Sequence, residues 1–521
     1  MLFLVFLGGI LILKNNVIID GGKMTLQDVL SVADGARVTV SKSAYDKMAK
    51  SRKMVDEVVD EQRVVYGITT GFGKFSEVSI SKQDSAQLQK NLIMSHACGV
   101  GEPLDVKYVR AQMCLRLNAL AVGNSGVSRT TFDGLLNLLN AGITPYVPKK
   151  GSLGASGDLV PLAHMTLTML GLGDAYVNGK LVSAQQALKD AGLSPVELTS
   201  KEGLALINGT CAMCSLACFT VNDGITLNKT ADVAASLTAE ALRGIIDAYD
   251  ERIHLLRGQT GQIRTAANLR KLLNGSKRVT RQGELRVQDA YTLRCVPQIH
   301  GPSKDAIDYV TDVVGKEINA VTDNPVIFAD TDQAISGGNF HGQALSMALD
   351  FAAISLSELA NVSERRIERM VNPQLSGLPA FLVKNGGLNS GYMIVQYTAA
   401  SLVNENKVLS HPACVDSITS SANQEDHVSM GMTAARKART IAQNVTDVLA
   451  IELLVACQAI DLGCDLALSP ATKAVYDLVR SQVPFMENDR YIAPDIKKVS
   501  QLVADGSVVA VAEAAAGELE V

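Results

Sequence analysis

The chain has 521 residues, 47% of them hydrophobic, which is enough apolar material for a large core in two or three substructures. A formal net charge of −5, with no dense run of Lys and Arg, argues against a general nucleic-acid binder and leaves room for a small anionic substrate held by a local arginine. Nine cysteines, an odd number scattered over a long chain, fit reduced thiols in a cytoplasmic protein better than a disulfide framework.

The first thirteen residues, MLFLVFLGGILIL, are apolar but have no charged segment before them and are too short to span a bilayer. Residues 1–15 therefore read as an apolar extension, and no membrane span is expected. Short strand-like runs follow at 17–19 and 37–40. Ser43 with Asp46 marks a helix start, and Met48, Val55, Val58 and Val59 form the apolar stripe of that helix.

The loop YGITTGFGKF (66–75) superficially resembles a phosphate loop. GxxxxGK[ST] would require glycine where Ile68 stands and Ser or Thr where Phe75 stands, so that reading falls. What remains is a glycine-rich loop able to close over a pocket and carry Tyr66 with it. On its own Tyr66 reads as a packing residue, and it can act as a base only where neighbours lower its pKa. His96, in SHACGVGEP, suits a substrate contact or a cap equally well.

GSLGASGDLVPLAH (151–164) is the most informative stretch. Ala155, Ser156 and Gly157 carry no bulk, so the backbone can turn tightly enough for the Gly157 nitrogen to approach the Ala155 carbonyl. The same residues also suit a plain turn or helix start capped by Ser156 or Asp158.

Beyond 195 the pattern becomes helical. No proline occurs between Pro195 and Pro297, and long helices are expected over 213–249, 344–372 and 429–462, with apolar residues spaced three and four apart. Cys214 and Cys218 fall in the first of these and Cys211 just before it, with no second ligand pair nearby, so a metal site is not expected. The predicted fold is mainly α: an elongated central bundle of long helices over 213–521, and a smaller mixed N-terminal domain over 16–212. The apolar faces exceed what one antiparallel bundle needs, which predicts homo-oligomerisation.

Three polar groups stand out in this half. Gln288, Tyr291 and Arg294, in QDAYTLRC, set an amide, a phenol and a guanidinium within one or two helical turns, a set suited to a carboxylate. Asn208 in ALINGT and Glu425 in SANQEDH stand in weakly charged surroundings and are expected to be buried and partnered.

With these motifs in view, the chain resembles the aromatic amino acid ammonia-lyases from about residue 17 to its C-terminal region. GSLGASGDLVPLAH is highly specific, and YGITTGFG, KEGLALINGT, QDAYTLRC, DNPVIF, GGNFHGQ and NQEDHVSMG fall in the family's order. The resemblance implies that Ala155-Ser156-Gly157 closes autocatalytically, losing two waters, into 4-methylidene-imidazole-5-one (MIO), an electrophile needing neither PLP nor metal. The N-terminal domain would carry this loop.

Other roles follow from the same resemblance. Tyr66 becomes the first candidate for the base, with Glu425 its alternative or partner. Arg294 would hold the substrate carboxylate with Tyr291 nearby, Asn208 and Gln288 would bond the MIO or the substrate, and Phe328 would pack on the ring. Ser95-His96, where phenylalanine- and tyrosine-specific members usually have Phe-Leu or His-Leu, together with Glu425, implies that histidine is deaminated to trans-urocanate and ammonia. The alternatives are a tyrosine or phenylalanine ammonia-lyase, a MIO aminomutase, or a non-catalytic helical assembly. The family's homotetramers, which share active sites between subunits, match the surplus apolar surface. Ala290, where many members have proline, departs from the pattern without touching the chemistry.

Overall fold

The structure is a computed structural model describing residues 13–71, 73 and 77–521. Most of the apolar leader, and Phe72, Lys74, Phe75 and Ser76 of the glycine-rich stretch, lie outside the described residues.

The chain begins with a parallel pair, β1 (Asn16–Ile19) and β2 (Arg37–Val40), joined through α1 (Leu26–Ala33), whose Thr25 and Asp28 form a reciprocal cap. α2 (Lys42–Asp60) starts two residues before the expected point. Its cap is Ser41, whose hydroxyl accepts the Ala44 N–H at 3.1 Å, and Ser43 lies inside the helix. Met48, Val55 and Val58 are buried as the stripe requires.

Next come α3 (Ser85–His96), β3 (Val100–Pro103), α4 (Val106–Ala121), α5 (Arg129–Asn140), β4 (Thr144–Pro145) and β5 (Pro148–Lys150). β3 pairs antiparallel with β5, so the chain leaving His96 and the chain entering the Gly151 turn hang from one ladder. α6 (Leu159–Met169) follows the turn. β6 (Asp174–Val177) and β7 (Lys180–Ser183) complete a three-stranded sheet with β4, and α7 (Ala184–Asp190) and α8 (Glu202–Ile207) lead into the bundle.

The long helices form where apolar periodicity placed them. α9 (Cys211–Ala241) ends earlier than the pattern suggests, because Arg243 takes a left-handed φ of 53° and breaks the ladder. α10 (Glu251–Arg257), α11 (Thr260–Leu272), the single-turn α12 (Tyr291–Arg294) and α13 (Val296–Glu317) precede the hairpin β8 (Val326–Phe328) and β9 (Gln333–Ile335). α14 (Gln343–Val371), the short α15 (Pro373–Ser376), α16 (Met393–Leu409) and α17 (Gly431–Leu462) follow; α17 begins only after Met430, which is also left-handed at φ 53°. α18 (Pro470–Gln482), α19 (Ala493–Ala504) and α20 (Ser507–Ala516) close the bundle rather than fray from it.

α14, α17, α9 and α13 pack on one another, and the 32 residues of α17 reach roughly 48 Å at 1.5 Å per residue. One apolar core runs from Val17 to Leu519. α14 is long and apolar enough to cross a membrane by length and composition, yet 61% of its most apolar window is buried inside the protein. It is a core helix.

The bundle centre also encloses charge. Arg366 of α14 forks onto both oxygens of Glu452 on α17, at 2.5 and 2.8 Å, and Asp232 of α9 takes His300 at 2.8 Å and Lys304 at 3.1 Å, all five fully buried. Each charge has an opposite partner, as burial demands. His300 is thus structural, and so is His254, whose ring nitrogens meet the Ala248 carbonyl at 3.1 Å and Gln262 Nε2 at 2.9 Å.

Candidate active site

The turn between β5 and α6 owes its shape to backbone conformations that few residues accept. Gly154, Ser156 and Gly157 all have positive φ, at 95°, 49° and 81°. Gly157 donates its N–H to the Gly154 carbonyl at 3.1 Å, while Ser152 Oγ donates to the Gly157 carbonyl at 3.1 Å. A Cβ on Gly157 would strike the Gly209 carbonyl and stand 2.9 Å from the Phe340 carbonyl. Only glycine fits there.

The loop after α8 backs this turn. Gly209 donates to the Ser156 carbonyl at 3.2 Å and accepts from Asp158 N–H at 2.7 Å. Asn208 is therefore next to the triad in the same chain. Its Nδ2 donates to the Asn324 carbonyl at 2.9 Å, its own carbonyl accepts from Arg116 at 2.6 Å, and its buried Oδ1 has no partner within the chain. Behind it, Lys201 and Asp323 form a fully buried pair at 2.6 Å.

Asp158 caps a different helix from the one its position suggests. Its Oδ2 accepts the Ala212 and Met213 N–H groups at the start of α9, both at 2.8 Å, and its Oδ1 has no partner. Burial pushes this carboxyl up to about 7 against the pull of those two amides, with Glu317 adding to the rise. An acid poised near neutrality thus adjoins Gly157.

A cavity of about 290 Å³ opens beside the turn, near the lower end of the roughly 300–1,000 Å³ usual for small-molecule sites. Ser95, His96, Cys98, Ser152, Leu153 and Ala155 are among its walls. His96 closes α3, its Nδ1 lies 3.0 Å from Ser95 Oγ, and burial lowers its pKa, which favours the neutral ring.

Two loops approach from other sides. Tyr66 is half-buried, and its hydroxyl oxygen accepts the Gly73 N–H at 3.3 Å. Gly73 in turn borders Glu425, whose Oε1 would lie 3.6 Å from a Cβ on that glycine; Glu425 Oε2 is buried without a partner. Met430 N–H, five residues beyond Glu425, donates to the Leu153 carbonyl at 3.0 Å and ties this loop to the turn.

Residues 24–481 match the family described as aromatic amino acid lyase. The chain belongs to this family. It is 57% identical to the histidine ammonia-lyase of Symbiobacterium thermophilum over 96% of this chain and 99% of that one. Among solved structures, histidine ammonia-lyase from Trypanosoma cruzi is 43% identical with a TM-score of 0.90, covering 96% of this chain and 95% of that one. Tyrosine aminomutase from Streptomyces globisporus is 36% identical with a TM-score of 0.92, covering 97% and 100%.

As an aromatic amino acid lyase, the chain gathers Ala155, Ser156, Gly157, His96 and Asn208 around one turn, with Tyr66 and Glu425 on loops joined to one another and, through Met430, to that turn. It does not gather Gln288, Tyr291 and Arg294 there. Arg294 stacks its guanidinium 4.6 Å over the Tyr291 ring on α12, Tyr291 is 69% exposed, and no described contact links this trio to the triad. Phe328 ends β8 with 42% of its surface exposed, and the phenylalanine whose backbone meets Gly157 is Phe340, in the GGNFHGQ motif. Asp158, Lys201 and Asp323 were missed as supporting residues. Asp158 carried a visible signal, adjacency to the triad, but the amides it accepts are more than fifty residues away.

Proposed function

We propose that this carbon–nitrogen lyase converts L-histidine to trans-urocanate and ammonia, the opening step of histidine breakdown, and that it acts in the cytoplasm. The observation that carries the reading is that His96 and Ala155 wall one cavity. A neutral His96 can donate to or accept from a substrate imidazole, and Glu425 offers a carboxylate for the other ring nitrogen.

The triad fits ring closure into MIO. Its left-handed turn, its lack of side-chain bulk and the neighbouring Asp158 carboxyl, able to exchange a proton near neutral pH, suit attack of the Gly157 nitrogen on the Ala155 carbonyl and loss of the Ser156 hydroxyl, two waters in all. When formed, MIO supplies an electrophilic carbon for the substrate amine. Tyr66 is the proposed base for the β-proton, with Glu425 beside its loop. Asn208 Oδ1, its amide nitrogen already engaged, serves as an acceptor for a substrate N–H. No metal or PLP enters this scheme.

Arg294, Tyr291 and Gln288 then come from another subunit of a homotetramer. Support lies on α14, where Met347, Phe351 and Ile354, spaced four and three apart, are 39–47% exposed on one stripe, and on α16, where Ile394 and Tyr397 are exposed likewise. Under this scheme a turn-bearing region over 16–212 precedes an assembling one over 213–521, and the boundary falls in the first turn of α9. Incubation with L-histidine should raise the ultraviolet absorbance of urocanate, while L-tyrosine and L-phenylalanine should yield no cinnamates and no β-amino acids; an inert histidine would overturn the reading.

A further inference from the structure

One side chain couples the helix behind the triad to the segment that carries His96. His164, on α6, accepts the Gly99 N–H on Nε2 at 3.0 Å. A backbone amide can only donate, so Nε2 must hold a lone pair, and a neutral ring then carries its proton on Nδ1. Gly99 lies three residues after His96 and immediately before β3.

The contact is closely enclosed. A Cβ on Gly99 would stand 3.1 Å from Val160 Cγ1, 3.2 Å from His164 Nε2 and 3.2 Å from the Lys150 carbonyl. Val160 and His164 are four apart on α6 and so share one helical face. Val160 and Leu159 also wall the cavity that Ala155 and His96 line. One rigid helix therefore starts at the electrophile's turn and, one turn further on, grips the backbone beyond His96.

We propose that His164 is a positioning residue for substrate selectivity: by holding Gly99 against α6 it sets the distance between the His96 imidazole and the Ala155-Ser156-Gly157 turn. The proposal rests on the reading that His96 contacts the substrate's imidazole. His164 itself touches no reacting atom.

The test compares H164L, which removes the acceptor, H164Q, which keeps an acceptor at similar reach, H96A, and the H96A/H164L pair, all in the full chain with L-histidine. H164L should raise KM about tenfold with kcat changed less than about threefold, the size expected for an amide left without its partner. Its intact mass should still be two waters below the sequence value. H164Q should restore KM to within about threefold, and H164L should add nothing to H96A. If H164L is insoluble, H164N, polar but too short to reach Gly99, replaces it. An unchanged KM in H164L, no rescue by glutamine, a lost mass deficit, or KM effects that multiply in the pair would overturn the proposal. An unchanged KM in H96A would instead overturn the reading of His96, and the proposal with it.

Discussion

The Gly151–Leu159 turn and helix α17 illustrate two ways in which a sequence commits to structure. In α17 twenty-three of 32 residues are buried, and at all of these but Asn444, Thr446, Glu452 and Gln458 the requirement is apolarity and size. At most of these positions one aliphatic side chain can replace another of similar volume with modest loss. In the turn the requirement is individual: positive φ at Ser156 and Gly157, carbonyls from Gly209 and Phe340 closing on the Gly157 Cα, and a buried Asp158 behind. Stability is spread over the helix, whereas the proposed chemistry is concentrated in the turn.

The largest expected effect comes from breaking the turn. Gly157→Ala forces a methyl into the Gly209 and Phe340 carbonyls, so the two-water mass deficit should disappear and turnover should fall at least about a thousandfold, on the order of 4 kcal/mol of barrier. Intact-mass spectrometry and urocanate release measure both, and the long helices should keep the circular-dichroism spectrum. A variant that keeps both the mass deficit and the activity would show that the turn tolerates bulk.

The converse change belongs to the helix. Leu449→Ala, at a fully buried position of α17, should cost about 2–5 kcal/mol and lower the thermal midpoint, with the mass deficit and the activity per folded molecule preserved. Calorimetry alongside active-site titration separates the two quantities. If specific activity fell with stability unchanged, the division between the regions would be wrong.

Acid sharpens the comparison with a smaller effect, since both regions hold histidines kept neutral by burial: His96 and His164 near the turn, His254 and His300 in the bundle. Their folded pKa values lie below the ordinary 6.5, so the unfolded chain binds more protons as pH falls. The stability they contribute is present above 6.5 and is lost as pH falls from there toward the folded values. A thermal midpoint measured from pH 8 to pH 5 should decline below about 6.5; a flat profile would mean these rings are solvated.

Much of the architecture was legible in the residues. The 3.6-residue periodicity located α9, α14 and α17 to within a few positions, except at the C-terminal end of α9, because their buried faces impose it along the chain. The deviations arose where one backbone angle or one hydroxyl decided the matter. Arg243 and Met430 end and delay helices through left-handed φ, and Ser41 rather than Ser43 meets the free Ala44 amide. Nothing in composition marks such positions.

The site divided along the same line. Sequence alone determined the family: Ala155-Ser156-Gly157 is a contiguous signal, and its motif company names the aromatic amino acid lyases. It could not decide proximity, because proximity depends on how distant segments close. Only the tertiary structure brought the Phe340 carbonyl against Gly157, turned Asp158 onto α9, joined His164 to Gly99, and left Arg294 without a described contact to the triad. Covalent neighbours reveal what a segment can become. The packing of helices far apart in the chain fixes which groups surround it.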